Sequence, residues 1–120
     1  MENILIETTK NTPQIDFSNL GNLTLSGSAY PENAKDFFDP LIEWVSSLQT
    51  EEVNFDIKLD YINTAAAKKL LELLKTLEAN DRINRLNLRW HYENEDEDCL
   101  ETGQIMEDSL RRIKFQFVEY

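Results

Sequence analysis

Residues 53–79 read VNFDIKLDYINTAAAKKLLELLKTLEA, and this stretch decides the fold. Its first part alternates apolar and polar residues, which is the two-residue period of a strand with one buried face. The apolar positions of this strand are Val53, Phe55, Ile57, Leu59 and Tyr61. The second part, from about Thr64 to Ala79, has the period of an amphipathic helix, with Ala66, Leu70, Leu73, Leu74 and Leu77 on its apolar side. A strand followed directly by a helix predicts an α/β unit.

Upstream of this unit, three short segments predict an antiparallel meander. They run from Ile4 to Thr8, from Gln14 to Ser18 and from Asn22 to Ser28. The sequence Tyr30-Pro31-Glu32-Asn33 then predicts the start of a helix, with proline in the first helical position, where its missing N–H costs nothing. Pro40 falls inside the helical pattern, and we expect it to kink the helix or to restart it.

Downstream, the sequence predicts a strand, a third helix and a last strand, which complete the order β-β-β-α-β-α-β-α-β. The apolar residues that define them are Leu86, Leu88, Trp90 and Tyr92, then Leu100, Met106 and Leu110, and finally Ile113, Phe115 and Phe117. We therefore expect an α/β fold with a single mixed β-sheet. Because the central strands alternate instead of being apolar throughout, we expect the helices mainly on one face of that sheet. This also argues against a doubly wound nucleotide-binding fold, which has helices on both faces.

Composition limits the classes of function. The 120 residues suit one domain, 1–120, and carry 23 acidic and 12 basic side chains, for a net charge of −11. Such a surface repels nucleic acids and anionic membranes, so we expect neither nucleic-acid binding nor membrane insertion. The single cysteine and the absence of a recognisable signal peptide or apolar spanning segment predict a cytoplasmic location.

Few residues are candidates for catalysis or metal binding. His91 is the one histidine and lies in the polar register of its strand, where a solvated side chain is the simplest interpretation. Cys99 follows four consecutive acidic residues, which disfavour a reactive thiolate. Asp56 and Asp60 could be a carboxylate pair of an enzyme, but exposed sheet charges explain them more simply. We therefore expect no enzyme activity, no catalytic residues, no metal site and no cofactor.

The run Glu93-Asn94-Glu95-Asp96-Glu97-Asp98 has three interpretations. It lies just ahead of the third predicted helix, where acidic side chains favourably face the positive end of the helix dipole. It could also be an acidic patch that docks a partner. Calcium or magnesium binding is a third reading, although the run lacks the glycine and the terminal glutamate of an EF-hand loop.

The start of the second helix is the most informative position. Asn63 or Thr64 suits the N-cap, where a side-chain oxygen accepts a hydrogen bond from a free backbone amide. On this view, Thr64 is only a cap or first-turn residue. Alternatively, Thr64 is phosphorylated, since a phosphate there would meet free amides and the helix dipole, and Lys68 one turn further on could pair with it. Its charge would then change the surface without unfolding the domain.

The chain resembles the SiaC family of bacterial regulatory phosphoproteins along nearly its whole length. The resemblance rests on the order and spacing of several blocks: Thr12-Pro13-Gln14-Ile15-Asp16-Phe17, Tyr30-Pro31-Glu32-Asn33-Ala34, Pro40-Leu41-Ile42-Glu43-Trp44, Asp60-Tyr61-Ile62-Asn63-Thr64 and Tyr92-Glu93 to Asp98. In logic it is similar to the anti-sigma-factor antagonists with a STAS fold, so a STAS-like architecture is expected. Where the family often has serines after the acceptor threonine, this chain has Ala65-Ala66-Ala67, which leaves one hydroxyl at this helix start.

The resemblance implies a partner switch. SiaC-like proteins are phosphorylated by a dedicated protein kinase and dephosphorylated by a PP2C-like phosphatase, and the family's acceptor threonine falls on Thr64. The unphosphorylated form binds and stimulates a diguanylate cyclase, which raises cyclic di-GMP and favours biofilm or aggregation. We accordingly predict phosphorylation at Thr64 and partner binding around Asn63, Thr64 and Lys68. The alternative is a constitutive adaptor that is never modified and docks through its acidic patch.

Overall fold

The strand and helix of residues 53–79 form the middle of a six-stranded sheet with three helices. The structure is a computed structural model that describes residues 1–120. The strands are β1 (Ile4–Ile6), β2 (Gln14–Phe17), β3 (Asn22–Ala29), β4 (Glu52–Ile62), β5 (Arg85–Tyr92) and β6 (Lys114–Glu119). The helices are α1 (Ala34–Ser46), α2 (Thr64–Ala79) and α3 (Glu97–Asp108). The predicted order of elements is confirmed, and so are both bounds predicted for α2.

The sheet is mixed, and its strands lie side by side in chain order from β1 to β6. The first three strands form the predicted antiparallel meander, whereas β3 to β6 are parallel. Right-handed crossovers that all step in one direction place their helices on the same face of a sheet. The expected α/β fold with one mixed sheet is thus confirmed, and the alternating burial of β4 and β5 agrees with one covered face and one open face.

The covered face holds the core, a single cluster of 23 buried apolar residues. Alternate residues of β4 and β5 point into it, from Val53 to Leu59 and from Leu86 to Trp90. Helix α2 buries the five residues predicted from its period, and α1 buries Phe38, Leu41 and Val45. None of the three helices combines the length and the apolar composition needed to cross a membrane.

The prediction that Pro31 begins the helix is wrong. Helix α1 begins at Ala34 and not at Pro31, because the side chain of Asn33 caps it by accepting a hydrogen bond from the amide of Asp36 at 3.1 Å. The helix also runs through Pro40 without restarting. Pro40 is exposed, so water can solvate the backbone carbonyl that loses its N–H partner there, which makes the missing bond tolerable.

The end of β4 departs from strict alternation. Gly27 pairs with Leu59 and Ser28 with Tyr61, so Asp60 is left over as a β-bulge, and the strand ends one residue after Tyr61. The expectation that Tyr61 continues the buried face is wrong, since this side chain is 56% exposed and its ring meets that of Tyr30 edge-on at 5.6 Å. The bulge therefore lies directly ahead of the turn that leads into α2.

Candidate functional site

The first turn of α2 is held by Asn63. Its side-chain oxygen accepts a hydrogen bond from the amide of Ala66 at 2.8 Å, and its own amide donates to the carbonyl of Ala29 on β3 at 3.0 Å. Asn63 is thereby tied both to the helix it caps and to the sheet beside it. Of the two residues that the sequence offered as N-cap, the structure uses Asn63.

Thr64 therefore does not cap the helix. It is the first residue of the helix, it is exposed, and its hydroxyl forms no hydrogen bond within the protein. The amides of Thr64 and Ala65 precede the first intrahelical hydrogen bonds, so they add unpaired donors beside that hydroxyl. An exposed hydroxyl next to free amides at the positive end of a helix dipole can take a phosphate without any change in the fold.

Lys68 and its neighbour Lys69 have different electrostatic surroundings. Lys69 pairs with Asp39 of α1 and with Glu72 at 2.8 Å, and the hydrogen bonds that its ammonium donates to these two carboxylates raise the pKa of Lys69. Lys68 is exposed and forms no ion pair. The cation one turn below Thr64 is thus available to an incoming anion, whereas the next one along the chain is not.

Asn63, Thr64 and Lys68 lie on one wall of a groove of about 320 Å³ between α2 and α3, which we call the α2–α3 groove. Its remaining lining residues are Ile62, Ala67, Leu71, Thr102, Ile105 and Met106. Most of this surface is apolar, and Ile105 is 57% exposed. The structure thus brings the three residues predicted for partner binding together at the edge of an open apolar surface.

Sequence analysis missed the apolar part of this groove. The residues of α2 that line it are Thr64, Ala67, Lys68 and Leu71. This spacing of i, i+3, i+4 and i+7 is a second helical stripe, offset from the buried one. On α3, Ile105 stands next to the buried Met106 and outside the core. Adjacent helical residues point about 100° apart, so an otherwise polar helix such as α3 buries only one of the two, and the apolar residue left outside was the signal for a second surface.

A second cavity of about 270 Å³ adjoins the groove, and we call it the acidic hollow. It lies at the end of β4, between Leu59–Ile62 and the first turns of α3, and it shares Ile62 and Thr102 with the groove. Three carboxylates line it, those of Asp60, Asp96 and Asp98, and no basic residue does.

The acidic run forms the entry of α3. Asp96 caps this helix by accepting a hydrogen bond from the amide of Cys99 at 3.0 Å, and Glu97 and Asp98 occupy its first turn. This confirms the helix-entry interpretation. No group of three or more side chains of the metal-binding types converges anywhere in the structure. Asp96 and Asp98 also line the acidic hollow, and docking of a partner there stays a prediction.

The open face of the sheet carries a polar cluster formed by Asp56, Arg89 and His91. Asp56 accepts hydrogen bonds from Arg89 Nε at 2.7 Å and Nη2 at 2.8 Å, and its Oδ1 lies 2.9 Å from His91 Nε2. Partial burial by itself raises the pKa of Asp56, but the bonds from Arg89 and His91 outweigh it and hold the pKa below its usual value. A general acid needs the opposite shift, so the cluster stabilises the sheet and gives no support to the enzyme hypothesis.

Cys99 is half-buried beside Trp90, whose indole N–H donates to the Cys99 carbonyl at 3.0 Å. Burial raises the pKa of the Cys99 thiol, and the nearby charge of Asp96 adds to the effect although Trp90 opposes it. The thiolate is therefore disfavoured, in agreement with the sequence prediction of an unreactive cysteine.

A one-sided α/β domain with a free hydroxyl at a helix start and an apolar groove beside it suits a protein that is controlled by modification and acts by binding. Comparison with known sequences identifies the family. Residues 6–120 match the SiaC family of regulatory phosphoproteins, and the chain belongs to that family.

Three matches from Pseudomonas aeruginosa are similar to this chain along most of its length. An uncharacterised protein of strain UCBPP-PA14 is 31% identical over 109 residues, which cover 87% of this chain and 86% of that protein. The structure of SiaC superposes with a TM-score of 0.83 at 28% identity, with both chains fully covered. A crystal structure of the diguanylate cyclase SiaD in complex with its activator SiaC matches with a TM-score of 0.86 at 28% identity, covering 98% of this chain and 99% of the other. The resemblance seen in the sequence is thereby confirmed.

Proposed function

We propose that this chain is a phosphorylation-controlled activator. Without phosphate it binds and stimulates a diguanylate cyclase, and phosphate on Thr64 prevents that binding. Family membership supports a regulatory phosphoprotein, and the likeness to SiaC in complex with the cyclase SiaD supports the choice of partner. A protein kinase adds the phosphate and a PP2C-like phosphatase removes it. The chain itself acts by binding and not by catalysis, in a cytoplasm that keeps its one thiol free.

The observation that carries this proposal is the position of the Thr64 hydroxyl. It is exposed, it bonds to nothing in the protein, and it lies on the wall of the α2–α3 groove. A kinase can reach it without unfolding the helix. The modified residue then stands where a partner that uses the groove would make contact.

The phosphate acts as a switch because the folded protein accepts it, whereas a docking partner does not. Within the protein, its charge of about −1.5 to −2 meets the free amides, the helix dipole and Lys68, so the folded state accepts it. For a partner, the same charge lies beside Ala67, Leu71 and Ile105, and docking an apolar surface would strip water from the dianion. Modification therefore weakens binding while the fold persists.

Substitution of Thr64 tests the proposal. With the kinase of its native host, Thr64→Ala should accept no phosphate, yet it should still bind and stimulate the cyclase. Thr64→Glu should bind at least about tenfold more weakly. Thr76→Ala is the matched control on the same helix, because the Thr76 hydroxyl is engaged by the carbonyl of Glu72 at 2.8 Å and should not be modified.

Continued phosphorylation of Thr64→Ala would refute the acceptor assignment. Protein purified from the native host should also carry a phosphate on Thr64 under some growth condition. If no condition and no neighbouring kinase yields phosphate while the cyclase still binds, the chain is instead the constitutive acidic adaptor. Binding should then weaken strongly between low and high salt.

A further inference from the structure

Strand β6 forms one edge of the sheet, and the outer side of its backbone is unpaired. The amide of Tyr120 donates to the carbonyl of Tyr92 on β5 at 3.0 Å, so the backbone groups of Tyr120 face inward. Successive residues of a strand direct these groups to opposite sides, so those of Phe115, Phe117 and Glu119 point away from the sheet. None of them has a hydrogen-bond partner in the protein. The edge therefore offers three donors and three acceptors in one row.

This edge also lacks the features that usually block an added strand. Proteins protect sheet edges with prolines, bulges, charges or very short strands. The four residues between Lys114 and Glu119 contain no proline and no charge, and the pairing with β5 shows no bulge. The opposite edge strand, β1, has only three residues, and the segment ahead of it is held by Trp44, whose indole N–H donates to the carbonyl of Glu2 at 2.8 Å. β6 is therefore the edge that can accept a further strand.

Apolar side chains accompany the free backbone groups of β6. Phe115 and Phe117 lie on the covered face of the sheet, with their ring centroids 5.9 Å apart. Both are only half-buried, and they pack against the margin of the core. A strand added at this edge would cover the two rings. It would thus remove apolar area from water in addition to pairing the backbone.

The two ends of β6 carry opposite charges. Lys114 at its start and Arg111 just before it are exposed and form no ion pair. Glu119 at its end is exposed, and the acidic run of residues 93–98 adjoins this end through a backbone hydrogen bond of 3.0 Å to Tyr120. Two such strands repel each other when they are parallel, whereas in the antiparallel orientation each basic end meets an acidic end. The edge is therefore complementary to a second copy of itself.

We propose that β6 pairs with β6 of a second copy of this chain, antiparallel and across a two-fold axis at Phe117. Only residues that face outward can exchange backbone bonds, so the register is fixed. Phe117 lies opposite Phe117 of the second copy, and Phe115 lies opposite its Glu119. All three free donors and all three free acceptors of each copy are then paired, whereas an axis at Phe115 or at Glu119 would leave some of them unpaired.

The proposed pairing also determines how the two copies are oriented. Residues directly opposite each other in a sheet point to the same face. The two-fold axis is therefore normal to the sheet, one sheet continues through both copies, and all their helices lie on one side. The pairing goes beyond the function proposed above and does not depend on it, since β6 contributes no residue to the α2–α3 groove.

Disulfide formation tests the register. Gln116 of one copy would lie opposite Val118 of the other with Cα atoms about 4.5 Å apart, within the range that a disulfide spans. In a Cys99→Ser background, a mixture of Gln116→Cys and Val118→Cys chains should form a mixed disulfide under mild oxidation. Each variant alone is the control and should form little, because its cysteines would lie on a diagonal of about 7–8 Å. Equal yields from the mixture and from the single variants would overturn the register.

Opposite charges at the axis test the self-pairing. Phe117→Lys alone and Phe117→Glu alone each place like charges opposite each other and should raise the dimer Kd by about fivefold or more. An equimolar mixture of the two variants should recover most of the affinity, because lysine then faces glutamate. Weak association of the mixture would contradict an axis at Phe117. The cysteine variants keep both phenylalanines, so the disulfide test stands even where a charge at Phe117 unfolds the chain.

The charged ends are tested by a matched pair of double variants. Arg111→Glu with Lys114→Glu should weaken the dimer severalfold, because the reversed charges would meet the acidic end of the second copy. Lys10→Glu with Lys75→Glu makes the same change in net charge at exposed lysines outside β6 and should weaken it less. Equal effects would show that net charge and not the edge controls association.

Sedimentation of the native full-length chain is the decisive measurement. Its average mass should rise with concentration from that of one chain toward that of two and should stop there, because a two-fold pairing closes. A chain that stays monomeric at every concentration, or one that grows into open-ended assemblies, would overturn the inference. Either result would leave the proposed control of the cyclase by Thr64 untouched, since that is measured by binding of the cyclase.

Discussion

The side chains of Glu78 and Arg112 each form hydrogen bonds with the backbone of the other residue. The guanidinium of Arg112 donates to the Glu78 carbonyl at 3.1 and 2.9 Å, and the Glu78 carboxylate accepts from the amides of Arg111, Arg112 and Ile113. Arg112 also reaches the carbonyls of Asn80 and Ile83. The end of α2 is thereby joined to the start of β6, across more than thirty residues of chain.

We predict that Glu78→Ala lowers the free energy of unfolding by about 1–3 kcal/mol, because three backbone amides lose their acceptor together. Arg112→Lys should also destabilise, since a single ammonium cannot replace a planar fork that serves three carbonyls. Urea unfolding measures both changes. Glu101→Ala, an exposed glutamate of α3, is the control and should change stability little.

Gly103→Ala should destabilise the protein by about 1–3 kcal/mol, because the added methyl group would overlap the Trp90 ring and force α3 away from β5. The displacement should also widen the α2–α3 groove and weaken partner binding. Thermal unfolding and cyclase affinity should therefore change together. The neighbouring Gln104→Ala is exposed and should alter neither; a stable Gly103→Ala with normal affinity would show that α3 is placed by other contacts.

Asn63→Ala should cost about 1 kcal/mol of stability through loss of the N-cap of α2. Asn63→Asp keeps an acceptor for the Ala66 amide and should recover most of that loss. Denaturant unfolding of the two variants measures the difference. Equal destabilisation by both would mean that the contact of Asn63 with Ala29, and not the cap, had been disturbed.

The contribution of Asp56 should depend on pH. Its folded-state pKa is held below the ordinary value of about 3.9, so the ionised form is favoured by folding. The stabilisation is present above the unfolded pKa and is lost as the pH falls through the folded pKa. The stability difference between the native protein and Asp56→Asn should therefore shrink as the pH falls from about 5 toward 2.

Much of the fold could be predicted because local and tertiary preferences agree in its central unit. In β4 and α2 the two apolar periods specify both the element and the face that it buries, and the structure follows them from Val53 to Leu59 and from Ala66 to Leu77. Prediction failed at Tyr61 because a bulge at Asp60 depends on the pairing with β3, which no local pattern records. It failed at Pro31 because the capping bond of Asn33 fixes the start of α1.

Part of the candidate site could likewise be predicted from the sequence, and part could not. The position of Thr64 at a helix start follows from local sequence, and its free hydroxyl follows from the choice of Asn63 as cap. The opposite wall of the groove comes from α3, whose distance from α2 is set by Gly103 packing on Trp90. A contact between residues far apart in the chain depends on tertiary packing. The sequence therefore shows Ile105 as an apolar residue of α3 but does not place it beside Thr64.

The central claim is that phosphate on Thr64 controls binding of the cyclase. The most direct measurement compares the unmodified protein with protein phosphorylated on Thr64, verified by intact mass and fragmentation, in titrations against the same diguanylate cyclase. We predict tight binding and stimulation by the unmodified form and at least about tenfold weaker binding by the phosphorylated form. Equal affinity of the two forms would contradict the switch.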